Sequence, residues 1–409
     1  MPHLKIAIIG AGPAGCLLAP YLIQGSIEVT IFEAEDSPTA RSQGGTLDLH
    51  PNTGISAIEE AGLGVALSKL LRCGGSRLKV VDQRLQTYFY LPSALHNAPE
   101  IDREQLRTML LASIPDQVIR WSHKLKEIPS PGVLTFDNGQ SEADYNLIVG
   151  ADGAWSQVRR ALSNQLPVYS GVSGYDLNIP DAVNISPASS DLVGGGTIFA
   201  FANGKSIIGQ QLGSGSISVS VWSRQGDGWM TDRREQSPLP ADILDGYNDW
   251  APELQTLVVD AIGPIRISAL YMLPLGFRWD HKPGITLVGD AAHLCTPFGG
   301  EGVNLALRDA QKLGRAIIEA SRDRDLVTNL DKRVAVYEAD LFKTGHKAQV
   351  MAYDMMRAMY FTNGAPRAGI ESWVIARAVY NTPQILVGVH HLLLAVGVYS
   401  LFFFIKLFI

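Results

Sequence analysis

The sequence predicts an α/β fold in which a Rossmann-like nucleotide-binding domain contains an inserted antiparallel-sheet domain and is followed by C-terminal helices. Three observations predict this fold. A strand, a glycine turn, a helix and a second strand begin the chain, two later strands end at an Asp beside a glycine, and alternating apolar and small polar residues lie between those two strands. A chain of 409 residues is long enough for two domains and a terminal extension.

The first element is a β-α-β unit with the sequence KIAIIGAGPAGCLLAPYLIQGSIEVTIFE at positions 5–33. Gly10 permits a tight turn, Gly12 lets a pyrophosphate approach the backbone, and Gly15 allows close packing of helix on strand. Glu33 ends the second strand, where a carboxylate can accept hydrogen bonds from both ribose hydroxyls of an adenosine. The ordered unit predicts a dinucleotide site, and it leaves FAD and NAD both open.

Two later segments repeat the arrangement of a strand that ends in an acid. Residues 145–162 read YNLIVGADGAWSQVRRAL, in which Asp152 and Gly153 separate a strand from a helix. Residues 284–309 read GITLVGDAAHLCTPFGGEGVNLALRD, in which Asp290 ends a strand and a Pro/Gly-rich loop opens into a helix. An acid at a strand end can bind ribose, and a helix N-terminus favours an anionic ligand. Both segments therefore predict further nucleotide contacts.

In this order and at these separations, the three motifs resemble those of the class A flavoprotein monooxygenases, the para-hydroxybenzoate hydroxylase-like group. Within that group the sequence is most similar to the tetracycline-inactivating monooxygenases, through ARSQGGTLDLH (40–50), EIDREQLRTMLLASI (100–114) and GDAAHLCTPFGGEGVN (289–304). The resemblance covers roughly residues 5–345. It implies a GR2-type FAD-binding domain and an FAD-dependent monooxygenase that uses NAD(P)H and O2, through a C4a-hydroperoxyflavin, to hydroxylate or epoxidise a small aromatic, polycyclic or terpenoid-type metabolite.

The resemblance also implies roles for individual residues. The adenosine diphosphate half of FAD would be bound by Gly10, Gly12, Gly15 and Glu33. Arg107 would reach the FAD phosphates or the flanking backbone, Asp48 would lie against the cofactor, and Asp290 would bind the ribityl or pyrophosphate region. Arg41 would contact NAD(P)H, whereas Asp152, Gly153 and Arg159 would serve both FAD and NAD(P)H. Such an enzyme needs no metal, because the cofactor supplies the difficult chemistry.

The helix that opens at Gly300, Gly302, Val303 and Asn304 is expected to aim backbone N–H groups at the region where reduced flavin is negatively charged. Pro297, Phe298 and Gly300 are expected beside the flavin ring. Glu301 departs from the Gln of the closer relatives, and its side chain is either near the flavin or directed to solvent.

Two reactive residue types lie in the third motif. His293 is either a catalytic base or a histidine satisfied within the turn, and the second interpretation is favoured because the sequence shows no partner that would orient a base. Cys295 is either reactive or a small buried thiol, and the second is the commoner case.

The predicted domains are discontinuous. Residues 1–71, 100–165 and 276–320 form the FAD-binding domain, residues 72–99 and 166–275 the substrate domain, residues 321–380 a helical segment, and residues 384–409 an apolar tail. Alternate positions of neighbouring strands share one face of a sheet, so we expect substrate contacts from Phe199, Phe201, Gln210 and Trp222. Core or outer-face positions are equally compatible with the pattern.

The tail residues 385–405, ILVGVHHLLLAVGVYSLFFFI, have no formal charge if the histidines are neutral, and about 20 apolar residues span a bilayer as a helix. We predict a membrane anchor in preference to a buried or self-associating helix. The N-terminus shows no secretory signal. Three widely spaced cysteines show no disulfide or zinc pattern, and a net charge of −6 without basic runs disfavours nucleic acid. We therefore expect a cytoplasmic catalytic domain.

Two other functions remain open at this point. One is an FAD-dependent reductase or dehydrogenase of the geranylgeranyl-reductase-like type, and the other is a flavin-binding protein without turnover. The motifs do not determine the identity of the substrate, because specificity resides in the sheet and loops. They also leave open the choice between NADH and NADPH, the choice between hydroxylation, epoxidation and Baeyer–Villiger insertion, and the oligomeric state.

Overall fold

The computed structural model describes residues 4–40, 44–72, 77–92, 98–233, 236–323, 325–382 and 387–407. The chain divides into two compact units. The first unit is Met1–Leu71, Arg103–Val168 and Tyr271–Gln349, and the second unit is Arg72–Asp102, Tyr169–Leu270 and Val350–Ile409. The predicted fold class is confirmed, with a parallel sheet in the first unit, a mostly antiparallel sheet in the second and helices at the C-terminal end. The assignment of FAD to one unit and substrate to the other stays a prediction.

The strands of the described residues are β1 (Lys5–Ile9), β2 (Glu28–Phe32), β3 (Thr46–Asp48), β4 (Leu78–Asp82), β5 (Thr87–Leu91), β6 (Glu100–Asp102), β7 (Ile119–Arg120), β8 (Leu125–Ser130), β9 (Val133–Phe136), β10 (Ser141–Glu142), β11 (Leu147–Gly150), β12 (Val168–Ile179), β13 (Thr197–Ala202), β14 (Lys205–Gln211), β15 (Ile217–Arg224), β16 (Arg266–Met272) and β17 (Ile285–Leu287).

The α-helices of the same residues are α1 (Pro13–Gln24), α2 (Ser56–Glu60), α3 (Gly64–Ser68), α4 (Arg103–Ala112), α5 (Gln157–Leu162), α6 (Ala182–Ile185), α7 (Pro187–Val193), α8 (Pro240–Leu244), α9 (Pro252–Val259), α10 (Asp290–His293), α11 (Gly302–Ser321), α12 (Leu326–Met356), α13 (Ile370–Asn381) and α14 (Val387–Leu407).

The first unit is built on a five-stranded sheet in the order β17-β11-β1-β2-β7, and its paired strands run parallel. Strand β1 is almost entirely buried, as expected for a parallel strand covered on both faces. Strands β17, β11 and β1 are neighbours, and each is followed directly by one of the three predicted motifs. Because parallel strands end at the same edge of a sheet, the topology brings the three motifs together.

The second unit is built on a seven-stranded sheet in the order β16-β12-β15-β14-β13-β4-β5. One face of this sheet packs into an apolar core with helices α7 to α9. Its central members are Ile198, Ala200, Ala202, Ile207, Ile217, Val219, Val221, Leu254, Leu257 and Val258. The predicted alternation along these strands is thus confirmed, because every second residue enters this core and its neighbours point to the opposite face.

Helix α12 is fastened to the first unit by one buried carboxylate. Glu338, 1 % exposed, accepts hydrogen bonds from Trp279 Nε1 (3.2 Å), His281 Nδ1 (2.7 Å) and Thr286 Oγ1 (2.8 Å). The other ring nitrogen of His281 lies 3.0 Å from Asp331. Partial burial lowers the pKa of His281, but the hydrogen bonds to the Glu338 and Asp331 carboxylates outweigh that effect and raise it above its ordinary value.

This pairing predicts a pH dependence of stability. Because the folded pKa of His281 is raised, its stabilisation is complete below the unfolded pKa of about 6.5 and is lost as pH rises through the folded pKa. We expect wild type to exceed His281→Gln in the free energy of unfolding by about 1 kcal/mol at about pH 6 and by less at about pH 9. Urea unfolding of both proteins measures the difference. A gap that does not change with pH would contradict the assignment.

The predicted tail, residues 384–409, lies partly outside the described residues. Its described part is α14, which contacts α13 through an ion pair between Lys406 Nζ and Glu371 Oε1 (2.5 Å). Arg367, which precedes α13, also donates a hydrogen bond to the Lys406 carbonyl oxygen (3.0 Å). Among the residues that the structure describes, no helix has the length and apolar character needed to cross a bilayer. The predicted membrane anchor therefore finds no support here, and the α14–α13 contact was not foreseen.

Candidate cofactor-binding site

The first motif forms a glycine turn between β1 and α1. Gly10 adopts a φ of +105°, and a Cβ atom at Gly10 would overlap the carbonyl oxygen of Ala151. A Cβ at Gly15 would overlap the carbonyl oxygen of Gly10. At Gly12 the nearest atom to a Cβ is 3.9 Å away, and no side chain caps the N-terminus of α1. The turn is therefore closed on the sheet side and open at the helix end, where a pyrophosphate can approach the backbone.

The carboxylate of Glu33 is oriented by backbone groups at the end of β2. Its two oxygens accept hydrogen bonds from the Ala11 N–H (2.6 Å) and the Glu35 N–H (3.0 Å). Arg107 on α4 is buried beside this segment, where it pairs with Glu35 (2.5 Å) and donates to the Pro38 carbonyl oxygen (3.0 Å). Arg107 thus contacts the flanking backbone, one of its two predicted partners. Arg41 lies outside the described residues.

The second motif is tied to the third by an arginine. Asp152 Oδ2 accepts hydrogen bonds from the N–H groups of Gln157 (2.7 Å) and Val158 (3.3 Å) at the start of α5, and Gly153 has a φ of +73°. Arg159, 2 % exposed, donates to the carbonyl oxygens of Ala291 (2.9 Å) and Ala154 (2.6 Å). Asp152 and Arg159 therefore shape the backbone of two motifs. Whether either contacts a cofactor stays a prediction.

The third motif presents an exposed acid. Gly289 adopts a φ of +60° and a ψ of −140°, and Asp290 begins α10 with its side chain open to solvent. Although the side chain reaches solvent, the surrounding protein removes part of its hydration and thereby raises the pKa of the Asp290 carboxyl group. A Cβ at Gly302 would lie 4.0 Å from Asp290 Oδ1, so the carboxylate faces the opening of α11. Asp290 and Gly302 are therefore brought together, and their predicted contact with FAD stays a prediction.

The first and third motifs also meet directly. A Cβ placed on Gly289 would lie 3.7 Å from the Ala14 Cβ on α1 and 3.2 Å from the Ala306 Cβ on α11. Motif one contacts motif two at Gly10 and Ala151. The three glycine-containing turns thus form one continuous surface at the carboxyl edge of the parallel sheet, where open α/β sheets bind ligands.

Comparison with known proteins agrees with this geometry. A family model described as an FAD binding domain matches residues 129–336. The chain is 30% identical over 424 residues to the monooxygenase penA of Penicillium thymicola, covering 90% of this chain and 98% of that protein. It is 30% identical over 374 residues to the monooxygenase asqM of Emericella nidulans, covering 76% of this chain and 83% of that protein. The chain belongs to the class A FAD-dependent monooxygenases.

Solved structures show the same fold at lower identity. HpxO of Klebsiella pneumoniae, complexed with FAD and uric acid, superposes with a TM-score of 0.72 at 19% identity and covers 97% of each chain. The tetracycline destructase Tet(55) superposes with a TM-score of 0.70 at 21% identity, covering 93% of this chain and 97% of that one. The predicted resemblance is confirmed, and the likeness to these two structures is one of fold alone.

The residues of this monooxygenase fit FAD. The uncapped N-terminus of α1 suits a pyrophosphate, the Glu33 carboxylate stands at the end of β2, and the Asp290 carboxylate reaches solvent inside the joined turns. Asp152 Oδ1 is buried and finds no hydrogen-bond partner in the described residues. These are the polar groups that a dinucleotide with hydroxyl and phosphate groups would satisfy.

The opening of α11 is fixed by Asn304. Its side chain donates to the Asp48 carbonyl oxygen (2.9 Å) and accepts from the His50 N–H (2.8 Å). Glu301 is 4% exposed and pairs with His50 Nδ1 at 3.3 Å, so the solvent-directed alternative for Glu301 is wrong. Asp48 and Asn304 are thus brought together. Their predicted contact with the flavin itself is untested.

The loop before α11 is partly exposed to solvent. Pro297 and Gly300 are exposed, Phe298 is half-buried, and Gly300 has a φ of +64°. Half-buried Cys295 sits in the same segment, where burial and the charges of Asp290 and Glu301 raise its thiol pKa to about 12. This shift disfavours the thiolate, which is the reactive form of cysteine. The choice between a reactive and a buried thiol at Cys295 stays a prediction.

The four predicted substrate residues share one face of the seven-stranded sheet. Phe199 and Phe201 alternate on β13, Gln210 lies on β14 opposite Thr197, and Trp222 lies on β15 opposite Ser206. All four point away from the apolar core. Phe201 is 1% exposed because Tyr360 covers it (ring centroids 5.5 Å apart), and the Tyr360 hydroxyl lies 2.7 Å from Ser206 Oγ. Their role towards substrate stays a prediction.

Asp309 was not among the predicted site residues. It is 2% exposed on α11 and pairs with His293 Nε2 at 2.6 Å, so His293 has an orienting partner, which lies on α11 and not within the turn. A signal was present in the sequence: Asp309 is four residues from Leu305 and four from Leu313 on the buried face of α11. A carboxylate on an apolar helical face requires a partner.

Proposed function

We propose that this monooxygenase uses NAD(P)H and O2 to hydroxylate or epoxidise a small aromatic, polycyclic or terpenoid-type metabolite of secondary metabolism. The observation that carries the proposal is the joining of three cofactor motifs into one surface beside an exposed Pro297–Gly300 loop. Relatives support the substrate classes by name: 6-hydroxynicotinate 3-monooxygenase of Pseudomonas fluorescens is 22% identical, and zeaxanthin epoxidase of Spinacia oleracea is 25% identical. The fungal monooxygenases penA and asqM suggest the metabolic setting.

Each motif has a role in holding the cofactor. Glu33 would accept hydrogen bonds from the adenosine ribose, Gly12 would admit the pyrophosphate, and Asp290 would accept from the ribityl chain or its neighbourhood. Bound FAD supplies hydride acceptance from the nicotinamide and the activation of oxygen. The α11 opening, including Val303, would stabilise negative charge on the ring system because the positive end of a 20-residue helix lies there.

We assign recognition of NAD(P)H to Arg41, and a role towards both FAD and NAD(P)H to the Asp152–Gly153–Arg159 motif. Within that motif Arg159 is buried and already bonded to two carbonyl oxygens, so it would act indirectly, by orienting the Ala154 and Ala291 backbone. Pro297 and Phe298 would cover the ring and exclude water. Exclusion of water limits loss of activated oxygen as peroxide.

We assign substrate contact to the second unit, through the face of its sheet that bears Phe199, Gln210 and Trp222. An aromatic face with an occasional amide suits a flat apolar compound that has few polar groups. Phe201 would support this surface without contacting the substrate, because Tyr360 buries it. Phe199 is half-buried and stacks on Phe201 with ring centroids 6.1 Å apart, which holds its ring in place.

The visible spectrum of the purified protein and its NADPH oxidation under air test this proposal. We expect flavin absorbance, and NADPH oxidation with oxygen uptake that increases when a phenolic, polycyclic or terpenoid compound is added. NADH is run in parallel, and mass spectrometry shows whether one oxygen atom enters the product. Flavin reduction without oxygen incorporation would favour a reductase instead. Bound flavin without turnover on the whole panel would favour a binding protein.

A further inference from the structure

A buried ion pair stands behind the third motif. His293, the last residue of α10, is 3% exposed, and its Nε2 lies 2.6 Å from Asp309 Oδ2 on α11. Helix α12 approaches so closely that a Cβ at Gly345 would be 2.8 Å from the His293 Cβ. The other ring nitrogen, Nδ1, is buried and has no hydrogen-bond partner among the described residues. His293 is therefore held in place by Asp309 and by packing.

The same carboxylate oxygen holds the other end of the turn. Asp309 Oδ2 also accepts a hydrogen bond from the Gly289 N–H at 3.0 Å. The Gly289 carbonyl oxygen accepts from the N–H groups of Ala292 (2.8 Å) and His293 (3.0 Å). Gly289 has a positive φ of +60°, a conformation that glycine adopts readily and that residues with a Cβ atom rarely do. Asp309 thus contacts both ends of the turn that contains Asp290, Gly289 at one end and His293 at the other.

The charges in this cluster depend on one another. Burial lowers the pKa of His293, but the charge and hydrogen bond of Asp309 outweigh burial and raise it above its ordinary value. Asp290 also raises the pKa of His293, and His293 in turn lowers that of Asp290, together with Arg103 and Arg159. The two groups therefore stabilise each other's charged form, and the ionised Asp290 carboxylate accepts hydrogen bonds but donates none.

We propose that Asp309 and His293 are positioning residues for FAD, which act as a unit to fix the Gly289 turn and to keep Asp290 directed at the cofactor. The proposal rests on the assignment of Asp290 to FAD made above. Neither Asp309 nor His293 would touch FAD. Loss of either one would leave the other buried without its partner, and the turn would lose the contact that joins its two ends.

The test is a double-mutant cycle on FAD affinity. Asp309→Asn and His293→Gln change the side-chain volume little, but each replaces the charge-assisted hydrogen bond of the pair by a weaker neutral one, so the Gly289 turn is held less firmly. Apoprotein of wild type, each variant and the double variant is titrated with FAD by flavin fluorescence. We expect the FAD dissociation constant to rise about tenfold in each single variant and about tenfold, not a hundredfold, in the double variant, because the two residues act together.

Tyr337→Phe is the matched control. Tyr337 is buried on α12 and donates to the Leu287 carbonyl oxygen at 2.9 Å, two residues before Gly289, so its loss removes a comparable buried hydrogen bond from the same strand. We expect Tyr337→Phe to lower the thermal midpoint of the apoprotein with less than a twofold change in FAD affinity. If Asp309→Asn does not fold, His293→Gln alone decides the proposal against this control.

The outcomes distinguish a failure of the positioning role from a failure of the assignment of Asp290 to FAD. FAD affinities within twofold of wild type in both single variants would overturn the role of the pair, and so would additive losses in the double variant. Asp290→Ala is measured alongside. If Asp290→Ala loses FAD while Asp309→Asn and His293→Gln keep it, only the positioning role fails. If Asp290→Ala keeps FAD, the assignment of Asp290 itself fails.

Discussion

Replacing Gly12 by alanine should leave the apoprotein folded and raise its FAD dissociation constant about 100-fold, equivalent to about 2.8 kcal/mol. Gly12 has an extended backbone that alanine adopts without strain, and the nearest atom to its Cβ is 3.9 Å away. Alanine is a poorer N-cap than glycine, but it also restricts the unfolded chain, and the two effects oppose each other. The added methyl group therefore acts on the ligand, because it fills the space that a pyrophosphate needs.

Gly15→Ala should destabilise the folded protein, for a steric reason that does not apply at Gly12. Alanine in a helix gains about 1 kcal/mol over glycine, but the new Cβ would overlap the carbonyl oxygen of Gly10, which is backbone and cannot rotate away. We expect a net loss of about 1–3 kcal/mol in the free energy of unfolding, because such overpacking forces the turn to shift.

Urea unfolding of the apoproteins and FAD titration of the folded proteins separate the two glycines. The expected pattern is loss of FAD affinity alone at Gly12, and loss of both stability and FAD affinity at Gly15. Full FAD affinity in Gly12→Ala would show that the pyrophosphate does not lie at the N-terminus of α1, and the assignment of the first motif would have to be abandoned.

Asp290→Ala should yield protein that purifies with little flavin. The carboxylate reaches solvent in the structure, so its removal leaves no buried group unpaired in the apoprotein. A hydrogen bond to a charged acceptor contributes about 1.5–3 kcal/mol, which predicts about a 10- to 150-fold rise in the FAD dissociation constant. Asp290→Asn should lie between wild type and Asp290→Ala, because the amide still accepts a hydrogen bond.

The flavin-to-protein absorbance ratio after purification measures this loss, and titration of the apoprotein measures the affinity. Asp116→Ala serves as the control, since Asp116 is an exposed acid on a short turn of the same unit and its removal changes the net charge equally. Asp116→Ala should retain FAD. Wild-type flavin occupancy in Asp290→Ala would remove Asp290 from the cofactor site.

The local patterns predicted the elements near the site but not their side-chain partners. The order of strand, glycine turn, helix and acid predicted β1, α1 and β2, because each depends on residues close in sequence. Glu35, the partner of Arg107, lies 72 residues from it, and Asp309 lies 16 residues from His293. Such pairs depend on which strands and helices become neighbours, and no local periodicity contains that information.

Glu301 illustrates the same limit. Its position at the start of α11 follows from the sequence, but an N-terminal helix residue can direct its side chain to its own backbone, to solvent or to another segment. The structure shows the third arrangement, with His50 as the partner 251 positions earlier in the chain. The C-terminal tail is comparable, since its apolar composition predicted a helix but not the Lys406–Glu371 pair that joins α14 to α13.

By itself the sequence determined the class of fold and the three turns at which a dinucleotide is expected to bind, because glycine and acid positions at strand ends obey local steric and hydrogen-bonding requirements. Only the tertiary structure decided which buried charges pair, which face of the seven-stranded sheet packs into an apolar core, and how the three turns meet. Those features arise from the packing of distant segments at the edge of one parallel sheet, where proximity is set by strand order and not by separation along the chain.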